Sequence, residues 1–347
     1  MTDRSHVLDV HFTLGPASWP EPVLHAILAA GVTACRINLS HTQPEQLAAW
    51  FAHVRRAAEV SGRALAIGAD VRGRKLRIGP LPEGQITLTA GQRLTLVPVG
   101  VAEERLGNDG WVSVNCPTLG QIARAGDLVL LDDGALRLRV EETQADAVPC
   151  IVEVGGPLPE RSGCNLPGRA LRLPPLTPKD AADLDALATL HPDFVYFSYV
   201  EDASDIGALR AELARRGLHI PIIAKIERAV AVTNVAVIAR AADGLCLARG
   251  DLGVEVSLPR LPAVQRQVAA TTRALETPLL LAGEVLFSLV TRHTPFRAEA
   301  TDVAVAVEQG WTGFILSDET AIGCDPPGAV RWLRAIAEEA ERRSVDW

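Results

Sequence analysis

Four charged residues define the chemistry open to this chain: Arg36 in CRINLSH, Lys225 and Glu227 in AKIE, and Asp251 in LARGDLGVE. Each sits at or just beyond the end of a short apolar run. Glu227 and Asp251, at the ends of neighbouring runs, can share one hard divalent cation such as Mg2+ (or Mn2+), which prefers oxygen ligands and keeps positions open for substrate oxygens. Arg36 and Lys225 bring the opposite sign. Guanidinium and ammonium beside a metal suit a carboxylate or phosphate ligand, and Lys225 can stabilise charge that develops during group transfer. A purely structural use stays open, with Lys225 and Glu227 as an ion pair and Asp251 as the cap of the next helix.

The elements that must position these residues are legible from periodicity. Eight runs are β-branched or apolar: VLDVHFTL, VTACRINL, ALAIGADV, DFVYFSYV, IPIIAKIE, GLCLARG, PLLLAGEV and GFILSDE. Between most of them lie segments such as PEQLAAWFAHVRRAAEVSG and DASDIGALRAELARRG, whose apolar residues recur at three and four. Strands alternating with helices predict an α/β fold, the (β/α)8 TIM barrel, whose active sites lie at the C-terminal strand ends. Those ends carry Arg36, Asn38, Ser40, Asp70, Ser198, Lys225, Glu227, Arg249, Asp251, Glu284, Ser317, Asp318 and Glu319. So many polar groups at one mouth are costly to bury without partners or a ligand. One gap breaks the rhythm, because the third and fourth runs are too far apart for a single βα connection. There the pattern turns to short alternating stretches (QITLTAG, QRLTLVPV, WVSVNC, DLVLLDDG, LRLRVEE, AVPCIVEV) between Gly, Asp and Asn turns. The expected organisation is a barrel of residues 1–77 plus 174–347 with a small all-β lid domain, 78–173, inserted after the third strand.

Composition narrows the partners. With 48% hydrophobic residues the 347-residue chain has a large core and is not disordered. A net charge of -8 argues against nucleic acid and anionic membranes, which need clustered positive charge. Small metabolites are the expected partners. The six cysteines have no CxxC pair and no dense spacing, so neither a zinc site nor a disulfide framework is indicated. With no secretory leader and no long apolar run, a cytoplasmic location is expected.

The stretches TLGPAS, CRINLSH, VLLDDG, NLPG, AKIE, LARGDLGVE, FRAEATDVAVAV and SDETAIG resemble, in order, the signatures of pyruvate kinases. The resemblance covers nearly the whole chain. It implies phosphoryl transfer from phosphoenolpyruvate to ADP, giving pyruvate and ATP, with the inserted domain as a lid that excludes water. It also implies roles. Arg36 contacts the transferring phosphoryl group, Lys225 stabilises its charge, Glu227 and Asp251 hold the metal, and the Gly250 backbone faces the bound carboxylate. Asn38, Ser40, Asp70 and Ser198 match a monovalent-cation pocket. The family's C-terminal regulatory domain has no counterpart in this sequence, so a short form is expected, with hyperbolic kinetics and a homodimer in place of a tetramer.

Several positions depart from the family pattern. Lys75 stands where potassium-dependent members carry Glu, so activity without K+ is expected; the alternative is a solvated lysine at the lid hinge. The family's ATQM reads Ala282-Gly283-Glu284-Val285 here, without the hydroxyl that assists proton delivery. Glu284 is then a candidate for proton handling or for pairing with a nearby cation. Two phosphate-facing lysines are replaced by Ser162 and Ile322, and Asp318 adds negative charge. Arg77 and Arg161 are the candidates to compensate at the nucleotide, and weaker ADP binding is expected, each lost contact being worth about 1.5–3 kcal/mol. Two other readings stay open: a metal-dependent 2-oxo acid lyase or decarboxylase that keeps the metal end, and a metabolite-binding protein without turnover.

Overall fold

The barrel strands are short because each need only cross the barrel wall, and they are apolar because both faces are covered. The computed structural model describes residues 8–101 and 110–343. The first three strands are β1 (Asp9–Thr13), β2 (Ala34–Asn38) and β3 (Ala66–Val71). Then follow β4 (Gln85–Leu88), β5 (Arg93–Pro98), β6 (Trp111–Val114), β7 (Leu128–Leu131), β8 (Leu136–Val140), β9 (Val148–Val154), β10 (Gly156–Pro159) and β11 (Cys164–Asn165). The remaining strands are β12 (Phe194–Phe197), β13 (Ile222–Ile226), β14 (Gly244–Ala248), β15 (Leu279–Ala282) and β16 (Gly313–Leu316). Strands β1–β3 and β12–β16 pair in parallel into a closed barrel, with β1 between β2 and β16. The expected barrel with an inserted, mostly β domain is the fold observed.

Helices form where capping and periodicity agree. Thr177 caps Pro178–Leu190 through a capping box with Asp180, and Asp202 does the same for Ala203–Arg215 with Asp205. The apolar faces of the helices and the outer strand residues make one core, including Phe12, Phe51, Phe197 and Phe314. A second, smaller core fills the barrel itself: Ala34, Phe194, Tyr196, Cys246, Leu280, Ala282 and Ile315. Packing there is tight. A Cβ on Gly68 would lie 2.4 Å from the Phe194 ring, so only glycine fits on β3 opposite those aromatics. This apolar plug forms the floor beneath the polar strand ends.

The insertion has its own core, built around Leu94, Val112, Leu131, Leu138 and Cys150. Its main sheet runs β11-β7-β8-β9-β5-β6, and β4 pairs separately with β10. The chain leaves and rejoins the barrel through adjacent segments, with Ile78 N–H donating to Ser162 O at 3.0 Å and Cys164 N–H to Leu76 O at 3.0 Å.

Candidate active site

The period of two along a strand makes Arg36, Asp70 and Lys225 face the lumen, one step above the apolar floor. Their charges interlock. Arg36 Nε donates to Asp70 Oδ2 at 2.7 Å and its Nη1 to Thr13 Oγ1 at 3.1 Å. Lys225 Nζ reaches Asp70 Oδ2 at 3.2 Å, Ser198 Oγ at 2.9 Å and Glu227 Oε1 at 2.8 Å. Ser198 Oγ in turn donates to Asp70 Oδ1 at 3.0 Å. Glu227 is fully buried and accepts from Tyr199 N–H at 2.7 Å. Asp251 Oδ1 accepts from Lys75 Nζ at 2.8 Å and from the Tyr199 hydroxyl at 2.5 Å. Arg36, Lys225, Glu227, Gly250, Asp251 and Gly283 are among the residues lining a cavity of about 110 Å³.

Electrostatics set the protonation states. Burial works against the Lys225 ammonium, but Asp70 and Glu227 outweigh it and raise its pKa, so it stays charged. Burial also works against the Asp251 carboxylate, yet Lys75 and Lys225 pull its pKa down to about 2. Asp70 is likewise held below its ordinary value, burial being outweighed by Lys225 and Arg36. For Glu227 burial dominates and the pKa rises, with Lys225 opposing the rise.

The donor set suits a hard cation. Glu227 Oε1 is buried, with the Lys225 ammonium 2.8 Å away. Asp251 has a second oxygen that no hydrogen bond reaches among the described residues. Two carboxylates at the wall of a small cavity, Asp251 with an oxygen no hydrogen bond reaches and Glu227 with one that only the Lys225 ammonium approaches among the described residues, fit a divalent ion that draws its other ligands from substrate and water. No group of three or more His, Cys, Asp or Glu side chains among the described residues offers a fuller protein cage.

Other expected positions fall differently. Asn38 Oδ1 accepts from Ser40 N–H at 3.1 Å, capping the turn that follows β2. Asp70, grouped with them as a cation pocket, has its carboxylate taken by Arg36, Lys225 and Ser198. Lys75 is not on that group; it lies against Asp251, whose carboxylate no other lysine or arginine bonds among the described residues. Glu284 is exposed and borders a neighbouring cleft instead of the cavity. Its backbone φ of 53° follows a Gly283 φ of 85°, and Arg249 holds both carbonyls, at 3.0 Å for Gly283 and 2.9 Å for Glu284. These two left-handed residues carry the chain away from the mouth. Arg77 and Arg161 do meet, Arg77 Nη1 donating to Arg161 O at 2.9 Å at the root of the insertion. Ser162 donates to Asp132 at 3.0 Å, while Asp318 and Ile322 are exposed. Glu319, read as a mouth residue, is a brace: it accepts from Leu286 and Ser317 N–H at 3.0 and 2.7 Å.

Two features escaped the sequence. Tyr199 sits between both carboxylates, although alternation along β12 would send it outward. Arg228 is buried with Glu201 at 3.2 Å and Glu255 at 3.3 Å, and it donates to the carbonyls of Leu166 and Arg169. Glu255 also accepts from Asn165 at 2.9 Å. This network ties the returning end of the insertion to the barrel mouth, and only its charged residue types hinted at it.

The family model described as pyruvate kinase, barrel domain, matches residues 7–330. The chain belongs to the pyruvate kinase family. It is 36% identical over 345 residues to a pyruvate kinase of Mycobacterium tuberculosis, covering 99% of this chain and 72% of the relative. A pyruvate kinase of Geobacillus stearothermophilus is 38% identical over 333 residues, covering 95% of this chain and 56% of the relative. The crystal structure of a pyruvate kinase from Cryptosporidium parvum superposes with a TM-score of 0.91 at 30% identity, over 96% of this chain and 69% of that one. The chain is thus a pyruvate kinase-like transferase, and the lyase or decarboxylase alternative draws no support from these relatives. Among the described residues no helix is long and apolar enough to cross a membrane.

Proposed function

We propose that the chain transfers the phosphoryl group of phosphoenolpyruvate to ADP, as a Mg2+- or Mn2+-dependent enzyme that needs no K+. The observation that carries this reading is the small cavity where Arg36, Lys225, Glu227 and Asp251 converge. Arg36, steadied by Asp70 and Thr13, offers its guanidinium to the phosphoryl oxygens. Lys225 stays an ammonium and so stabilises charge on the moving group and the developing enolate; it does not act as a base. Glu227 and Asp251 hold the divalent cation, which neutralises phosphate and carboxylate oxygens when bound. The Gly250 backbone faces the substrate carboxylate. With Gly283 lacking a hydroxyl and Glu284 outside the cavity, water delivers the proton to the enolate carbon. Arg77 and Arg161 serve the nucleotide from the root of the insertion. The working form is a cytoplasmic homodimer acting in glycolysis.

The test is direct. Phosphoenolpyruvate, ADP and Mg2+ should yield pyruvate only when all three are present, and Lys225→Met should lower kcat by roughly 100- to 1,000-fold or more. Pyruvate formed equally without ADP, or from oxaloacetate alone, overturns the reading. Independence from K+ is supported by Asp70 being compensated internally by Arg36 and Lys225; the Lys75 ammonium lies outside that group, on Asp251. Rates in Tris or Na+ buffer should match those in K+, and a large drop without K+ refutes this part.

A further inference from the structure

Tyr199 touches both carboxylates assigned above to the divalent cation. Its N–H donates to Glu227 Oε2 at 2.7 Å and its hydroxyl to Asp251 Oδ1 at 2.5 Å. The backbone makes this possible. Tyr199 has a φ of 56°, a left-handed conformation that bulky residues adopt only when their surroundings hold them there. The side chain is 5% exposed, and the Lys75 ammonium lies 5.5 Å from its ring centroid. That ammonium also donates to Asp251 Oδ1, at 2.8 Å. Both donors therefore converge on one oxygen of Asp251, and the Tyr199 N–H uses one oxygen of Glu227. That leaves Asp251 Oδ2 without a hydrogen bond among the described residues and Glu227 Oε1 in ion-pair contact with the Lys225 ammonium at 2.8 Å.

We infer that Tyr199 is a positioning residue for the cation site, fixing one oxygen of each carboxylate so that the other is presented to the metal, while Lys75 acts as a replaceable counter-charge on Asp251. The inference rests on the assignment of Glu227 and Asp251 as cation ligands. Its logic is one of sign. A neutral hydroxyl orients a carboxylate without cancelling its charge, so it helps whether or not a cation is bound. An ammonium orients the same carboxylate but repels the incoming ion. Removing the hydroxyl should weaken metal binding, and removing the ammonium should strengthen it. A role limited to packing does not produce effects of opposite sign at two groups that bond the same oxygen.

The experiment is a Mn2+ titration followed by electron paramagnetic resonance, without substrates, on the full chain and on Tyr199→Phe, Lys75→Met and Glu227→Gln. Tyr199→Phe should raise the Mn2+ Kd about tenfold or more, Lys75→Met should lower it severalfold, and Glu227→Gln should abolish tight binding. If Glu227→Gln loses Mn2+ while Tyr199→Phe binds within twofold of the parent, the positioning role is overturned and the site assignment stands. If the parent does not bind, or Glu227→Gln binds like the parent, the assignment falls and the inference with it. Should Tyr199→Phe fail to fold, Lys75→Met carries the test, and a Kd unchanged or raised overturns the counter-charge.

Discussion

His11 shows how a single side chain below the mouth couples the barrel to pH. It is buried on β1, and its Nδ1 lies 2.5 Å from the Tyr196 hydroxyl, each filling the other's polar valence inside an apolar plug. Burial lowers its pKa from 6.5 to about 3, so the folded state keeps it neutral where an unfolded chain would protonate it. The stabilisation is therefore complete above pH 6.5 and is lost as pH falls toward 3. His11→Leu should cost about 1–3 kcal/mol near neutrality by stranding the Tyr196 hydroxyl. The same variant should flatten the acid limb of the stability curve, which urea unfolding at several pH values would read; an unchanged slope would assign the acid sensitivity elsewhere. Only the type of His11 was visible in the sequence. Its partner lies across the lumen, and no local pattern encodes that contact.

At the scale of elements, the segment after β15 decides what chemistry can be restored. A Cβ on Gly283 would stand 2.7 Å from Gly250 N, at a backbone φ of 85°. Gly283→Thr should therefore lower kcat and cost about 1–3 kcal/mol of stability, although it supplies the hydroxyl that the family pattern carries. A gain in pyruvate formation from that variant would show that the loop relaxes to admit it. The barrel strands themselves were legible because each run of apolar residues ends within a few positions of the observed strand, as GLCLARG does around Gly244–Ala248. Strands β10 and β11 were not, since GPLP reads as a turn and a two-residue strand has no period. Tyr199 was missed for a related reason. Alternation assumes extended backbone, and a positive φ reverses the side of the chain on which a residue falls.

Across the whole molecule, the Arg228 network joins the mouth to the returning end of the insertion. Glu201 and Arg228 follow β12 and β13 and Glu255 ends the short helix Arg249–Glu255 after β14, and Arg74 adds an ion pair with Asp205 and a bond to Leu173 O at 2.7 Å. Arg228→Leu would leave buried Glu255 without its cation and Glu201 with only the more distant Arg74 at 3.9 Å, and about 3–5 kcal/mol of stability should be lost in denaturant unfolding. Protease cleavage between residues 166 and 173 should rise in parallel, because that stretch depends on Arg228 for two of its carbonyl contacts. Wild-type resistance in the variant would place the anchoring of the insertion elsewhere. Such long-range charge pairing is invisible to periodicity, whereas the order of elements that brings the partners together was readable.

The adjacency of Leu76–Ile78 with Ser162–Cys164 has a further meaning for how the chain folds. To the barrel, everything between those segments is a loop whose ends already touch, and the entropy of closing a loop grows only with the logarithm of its length. Doubling the insertion would add about 0.6 kcal/mol. A separate core can therefore be lengthened at little cost in closure entropy to the barrel, provided that Asn165, Leu166 and Arg169, which Glu255 and Arg228 of the mouth bond, are kept.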